Sequence, residues 1–198
     1  MGQRSQIYVR YNNKIIIANY YQWNYGERMI SRARYGIEYI KHYIDNEFDF
    51  VFSDKQYIKK ISRIFDANFD MKDVALSSNI FDEFKEEKKY CQENNIEVGF
   101  NDFIFKHQDN NDGKLFVDIQ DNKIKYAFTD YVCEKVMNAE QYMIWDMEDW
   151  TEKLKEYESE DAIKTCQENM EEISKMAILM TKEELEELIN YNYKIDVE

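Results

Sequence analysis

Ile7-Tyr8-Val9-Arg10-Tyr11-Asn12-Asn13-Lys14-Ile15-Ile16-Ile17-Ala18-Asn19-Tyr20-Tyr21 is the stretch on which the fold turns. Ile7, Val9 and Tyr11 alternate with Tyr8 and Arg10, Asn12-Asn13 supplies a turn, and residues 14 to 21 are rich in β-branched and aromatic side chains. That pattern predicts a β-hairpin. Beyond the link Gln22-Trp23-Asn24-Tyr25-Gly26, apolar residues recur at Ile30, Ala33, Ile37, Ile40 and Ile44, the spacing of a helix over 27–46. A strand pair followed by a helix therefore opens the chain.

A helix over 54–65 follows, with Ser53 as N-cap and Tyr57, Ile58, Ile61, Ile64 and Phe65 turned inward, then another over 82–92. From Ile96 the period changes to two. Phe103 and Phe105, then Leu115, Val117 and Ile119, then Ile124, Tyr126 and Phe128, with turns at Asp112-Gly113 and Asp121-Asn122, read as a β-meander that extends the hairpin into one antiparallel sheet. The last sixty residues change character. Met143, Met147, Trp150, Leu154 and Tyr157 form one apolar stripe, and Ile163, Cys166, Met170, Ile173, Ala177 and Met180 form another, so two helices are expected to pack as an antiparallel pair. Thr181-Lys182-Glu183-Glu184 is a capping box opening a final helix on Leu185, Leu188 and Ile189. The expectation is an α+β fold in two parts: an α+β domain over 1–137 and an acidic helical subdomain over 138–198.

Composition sets the class. Proline is absent and glycine occurs five times, which favours long uninterrupted elements, and 44% hydrophobic residues suffice for a core. The longest apolar runs, Ile15–Ala18 and Met176–Met180, fall far short of the roughly 20 residues that span a bilayer. Residues 1–6 lack the apolar stretch of a signal peptide. Cys91, Cys133 and Cys166 are odd in number and widely spaced, fitting neither a disulfide framework nor a zinc site. A chain of the reducing cytoplasm is expected, without a membrane partner.

Charge is unevenly spread. All six arginines lie within residues 1–65, which hold 11 basic and 6 acidic groups, whereas residues 139–198 hold 18 acidic groups against 6 lysines, net −12 of the whole-chain −14. Glu148, Glu152 and Glu156 stack at i, i+4 with Asp149 beside them, and Glu168, Glu171 and Glu172 follow on the next helix. Like charges at that spacing cost a helix a few tenths of a kcal/mol each. The arrangement serves either solubility or recognition of a positive surface, because an array of carboxylates raises a potential resembling a phosphate backbone. Direct nucleic-acid binding by these helices is disfavoured for the same reason. A second candidate is the surface of Trp23, Arg28, Arg32 and Tyr35, where arginine beside aromatic rings suits a nucleotide or short nucleic acid.

Catalytic and metal motifs are incomplete in this chain. His42 and His107 have no Cys, Asp or Glu at zinc-ligand spacing. Asp109-Asn110-Asn111-Asp112-Gly113 hints at a calcium loop, but with Gly113 as the loop glycine the first and twelfth positions are Gln108 and Ile119. Asp121-Asn122-Lys123, with Asp118 or Asp102 nearby, faintly echoes the acid-x-lysine arrangement of some nucleases but is more simply a two-residue turn. No Gly-rich phosphate loop, nucleophile elbow or Cys-His pairing occurs, so no catalytic residue, metal or cofactor is expected.

Met1-Gly2-Gln3-Arg4-Ser5-Gln6-Ile7, followed by Tyr21-Gln22-Trp23-Asn24-Tyr25-Gly26, resembles a group of small bacteriophage and mobile-element proteins that pair an MGQR-S/T-Q start with a Q-W-G-Y-G stretch. The resemblance covers about the first 35 residues, and Asn24 stands where that pattern has glycine. It implies an inhibitor of host defence, of the kind represented by anti-CRISPR proteins. On that reading the chain binds a basic nucleic-acid-handling host protein, such as a CRISPR effector, through the acidic residues named above.

Overall fold

Of the three predicted two-residue turns, Asn12-Asn13 and Asp121-Asn122 close hairpins, whereas Asp112-Gly113 joins no two strands, because Phe103 and Phe105 before it lie on a helix. β1 (Arg4–Tyr11) and β2 (Lys14–Gln22) pair antiparallel about Asn12 and Asn13, whose φ values of 44° and 60° are those of a type I′ turn. The computed structural model describes residues 3–106 and 111–193. After β2 come α1 (Gly26–Asp45), a 3₁₀ turn at Asp49–Phe52, and α2 (Lys55–Asp66). The N-cap of α2 is Asp54 rather than Ser53: its carboxylate accepts the Gln56 N–H at 2.7 Å. A two-stranded ribbon, β3 (Ala67–Asn68) and β4 (Asp73–Val74), precedes β5 (Leu76–Asn79), α3 (Ile80–Glu93) and α4 (Phe100–Lys106). β6 (Lys114–Gln120) and β7 (Lys123–Thr129) form the second hairpin about Asp121 and Asn122, with φ of 49° and 57°. The chain then continues through α5 (Ala139–Asp146), α6 (Trp150–Tyr157), α7 (Glu160–Met176), β8 (Ile178–Leu179) and α8 (Lys182–Asn190).

The class is α+β, and the two hairpins share one six-stranded sheet ordered β5-β2-β1-β6-β7-β8. The sheet is mixed rather than antiparallel throughout, since β1 runs parallel to β6 and β7 parallel to β8. The long excursion through α1 to α4 supplies the crossover that a parallel neighbour requires. Phe103 and Phe105 are not on a strand of a meander but on α4, where Phe103, Ile104 and Phe105 are all buried. Two aromatics at a spacing of two cannot separate the strand period from a short buried helical turn.

Helices cover both faces of the central strands. Ile7, Val9, Leu115, Val117, Ile119, Tyr126 and Phe128 pack in one cluster with α1, α2 and α5–α7, while Tyr8, Ala18, Phe116 and Ala127 pack in a second with α3, α4 and α8. Burial on both faces accounts for the nearly unbroken apolar character of these strands. Trp150, Leu154, Cys166, Met170 and Ile173, from the segment expected as an acidic subdomain, lie in the same cluster as Ile7 and Val9. Residues 138–193 share their core with the rest of the chain.

Two expected helices are shorter than their apolar stripes. The run from Met143 to Tyr157 breaks at Met147–Asp149, with Asp149 at φ 56°, so the first helix becomes α5 and α6 and Tyr157 is 73% exposed. The run from Ile163 ends at Met176, because Ile178 and Leu179 pair with Lys125 and Tyr126 as strand β8. Thr181 and Glu184 form the predicted capping box, exchanging bonds of 3.2 and 3.0 Å at the start of α8.

Candidate interaction surface

The link from β2 to α1 is held at every residue. The Trp23 N–H donates to the Gln3 carbonyl at 2.6 Å. Asn24, wholly buried, donates from Nδ2 to Ser5 Oγ at 2.8 Å and accepts from Arg32 Nε at 3.0 Å. Gly26 starts α1 at φ 45° and donates its N–H to Asp146 Oδ2 at 2.6 Å. A Cβ there would lie 2.2 Å from Met147 Sδ, so the link is seated on the α5–α6 junction. Between these fixed points Trp23 takes φ 60°, a backbone region that a bulky residue rarely adopts, with its side chain 55% exposed.

Of the four residues read as a nucleotide surface, Arg32 is withdrawn into the interior and Arg28 and Tyr35 are paired within the chain. Arg32 is 1% exposed and spends its guanidinium internally, on Asn24, the carbonyls of Phe65 and Asp66, and Asp73 at 3.2 Å. Burial pushes it down from the ordinary arginine value. Its Nε holds the β2–α1 link and its two terminal nitrogens fasten α1 to the end of α2 and to β4, the work of a structural cation. Arg28 pairs with Asp73 at 2.9 Å, and Tyr35 donates to Asp70 at 2.9 Å under Arg34. Trp23 remains outward.

The acidic residues fare differently. Glu148 and Asp149 lie in the break between α5 and α6, so Glu148 does not share a helix with Glu152 and Glu156, but all four are exposed. None of the four is in an ion pair among the described residues. On α7, Glu168 sits 3.7 Å from Lys164 and Glu172 sits 2.8 Å from Lys175, whereas Glu171 is exposed. The Glu158 charge reaches Tyr25 and Glu27 on the far side of the junction. The link that bears Trp23 is thus seated through Gly26 on the junction that bears Glu148 and Asp149, a placement that sequence spacing did not reveal.

Comparison with protein-family models, curated proteins and solved structures gives no match.

Beneath this surface lies a buried carboxyl pair that no sequence motif marks. Asp112 accepts the Arg4 N–H, Asp146 accepts the Gly26 N–H, and Tyr142 OH donates to the Asp112 carbonyl at 2.9 Å while lying 3.4 Å from Asp146 Oδ2. Burial, with the neighbouring Asp146, lifts Asp112 to about 7, and burial lifts Asp146 to about 6. Glu27 is raised by burial as well. These groups are protonated more readily than ordinary carboxyls, and Asp146 among them ties the β2–α1 link to α5.

The other motifs occupy structural positions. Asp121 and Asn122 form the hairpin turn, Asp118 is locked in a buried bidentate pair with Arg10 at 2.7 and 2.6 Å, and His42 is exposed beside Asn46. His107, Asp109 and Asn110 lie outside the described residues. Among the described residues no group of three or more His, Cys, Asp or Glu could hold a metal ion, and no helix is long and apolar enough to cross a membrane.

Proposed function

We propose that this chain binds a basic, nucleic-acid-handling protein through the acidic surface of α5, α6 and α7. In the setting implied by its N-terminus, it does so as an inhibitor of host defence in the host cytoplasm, with a CRISPR effector as the partner type. The observation that carries this reading is the group of exposed, unpaired Glu148, Asp149, Glu152 and Glu156 around the junction on which the link bearing Trp23 is seated. Unpaired carboxylates on a fixed scaffold hold a negative potential that attracts the basic groove of a nucleic-acid-binding protein and speeds encounter. An outward tryptophan in a strained backbone, on the link seated against that junction, supplies the apolar anchor that charged rims lack.

The test is capture of the partner from a host-cell lysate on the immobilised chain, its identification by mass spectrometry, and titration of the purified pair against salt. Affinity should fall steeply with ionic strength, and the combined Glu148→Lys, Glu152→Lys and Glu156→Lys variant should bind about a hundredfold more weakly. A complex indifferent to both salt and reversal makes the acidic face a solubility device.

A further inference from the structure

The charge pattern reverses on α2. Its exposed residues are Lys55, Gln56, Lys59, Lys60 and Arg63, with no acid among them, and Asp66 turns inward to accept from Tyr21 OH at 3.1 Å. Lys55, Lys59 and Arg63 follow one another at i, i+4, a succession that destabilises an isolated helix. None of the four cations is in an ion pair among the described residues, and Lys60 Nζ lies over the Tyr57 ring at 4.5 Å. In a chain of net charge −14, neither helix stability nor overall solubility accounts for a uniformly basic face.

Aromatic rings border that face. Phe50 is 58% and Phe48 43% exposed, and they reach it through edge-on contacts: Phe48 to Phe50 at 6.1 Å, and Phe50 to Tyr57 at 5.6 Å. Tyr57, the innermost of these, is the residue beneath Lys60. Cations that track a phosphate backbone beside exposed rings on which bases can stack are the two components of a single-strand surface. We propose that the outer face of α2, together with the Phe48–Phe50 corner, binds single-stranded nucleic acid. Glu47 and Asp49, exposed in the same corner, repel phosphate and so set the orientation, with phosphates over α2 and bases toward the rings. A lipid surface fits less well. Ile61 and Phe65 are buried and Ile58 and Ile64 partly so, leaving the helix no apolar face to enter a bilayer.

This surface is independent of the acidic one and is tested on the whole chain without any protein partner. Fluorescence anisotropy with labelled oligothymidylate and oligouridylate at low salt should show binding that weakens as salt is raised. The combined Lys55→Glu, Lys59→Glu and Arg63→Glu variant should weaken it at least tenfold. Phe50→Ala should weaken it about tenfold while Phe50→Tyr retains it, since a ring rather than mere bulk is what stacks. The proposal is overturned by no binding at low salt, by affinity unchanged in both the charge-reversed and Phe50→Ala variants, or by a chain that binds phosphatidylglycerol vesicles but neither oligonucleotide.

Discussion

Asp146 illustrates how one side chain ties the ends of this fold together. It stops α5, takes the first N–H of α1 and lies beside Tyr142, with Glu27 raising and Lys153 lowering its affinity for protons. Asp112 and Asp146 titrate at about 7 and about 6 in the folded chain, above the ordinary carboxyl value of 3.8 that they regain on unfolding. Between about pH 4 and pH 7 the folded state therefore holds more protons than the unfolded one, and their contribution to stability falls as pH rises through that window. Urea unfolding midpoints measured across this range should fall toward neutral pH. Asp146→Asn, which keeps an acceptor for the Gly26 N–H, should flatten the decline between about pH 4 and 6; an unchanged slope would show that the pair is not its source. Residue 146 carries no sequence signal for this role, because its partners come from residues 26, 112 and 142.

At the scale of elements, what was legible followed from local chemistry. Asn12-Asn13 and Asp121-Asn122 announce their turns, and Thr181 with Glu184 announces its cap, since each is decided within four residues. The break in the 143–157 stripe was not legible, because it depends on Met147 seating against Gly26 and on Asp146 capturing a distant N–H. The same holds for α4, whose three consecutive buried residues satisfy a core built by α3 and α8. The packing of α1 on α2 also rests on a contact no local pattern shows. A Cβ at Gly36 would stand 2.1 Å from the Phe65 ring, so the helices approach where glycine leaves room. Gly36→Ala should cost about 2 kcal/mol despite its better helix propensity, as read from chemical denaturation. A neutral or stabilising result would mean that the helices separate freely there.

Over the whole molecule, the polarity of charge was readable from the sequence, whereas its geometry was not. The C-terminal acids and the N-terminal arginines are plain in the chain, but several of those arginines are spent internally, Arg10 on Asp118 and Arg32 on Asn24 and Asp73. Outward among the exposed residues stand the acids of the α5–α6 junction and of α6, and the cations of α2. Trp23 stands on the link that folding seats, through Gly26, against the α5–α6 junction. Amide hydrogen exchange of the chain, free and bound to its captured basic partner, tests the central claim most directly. Protection gained in residues 22–27 and 146–172 is the predicted result, whereas protection confined to other segments, with these left as exchangeable as in the free chain, would contradict it.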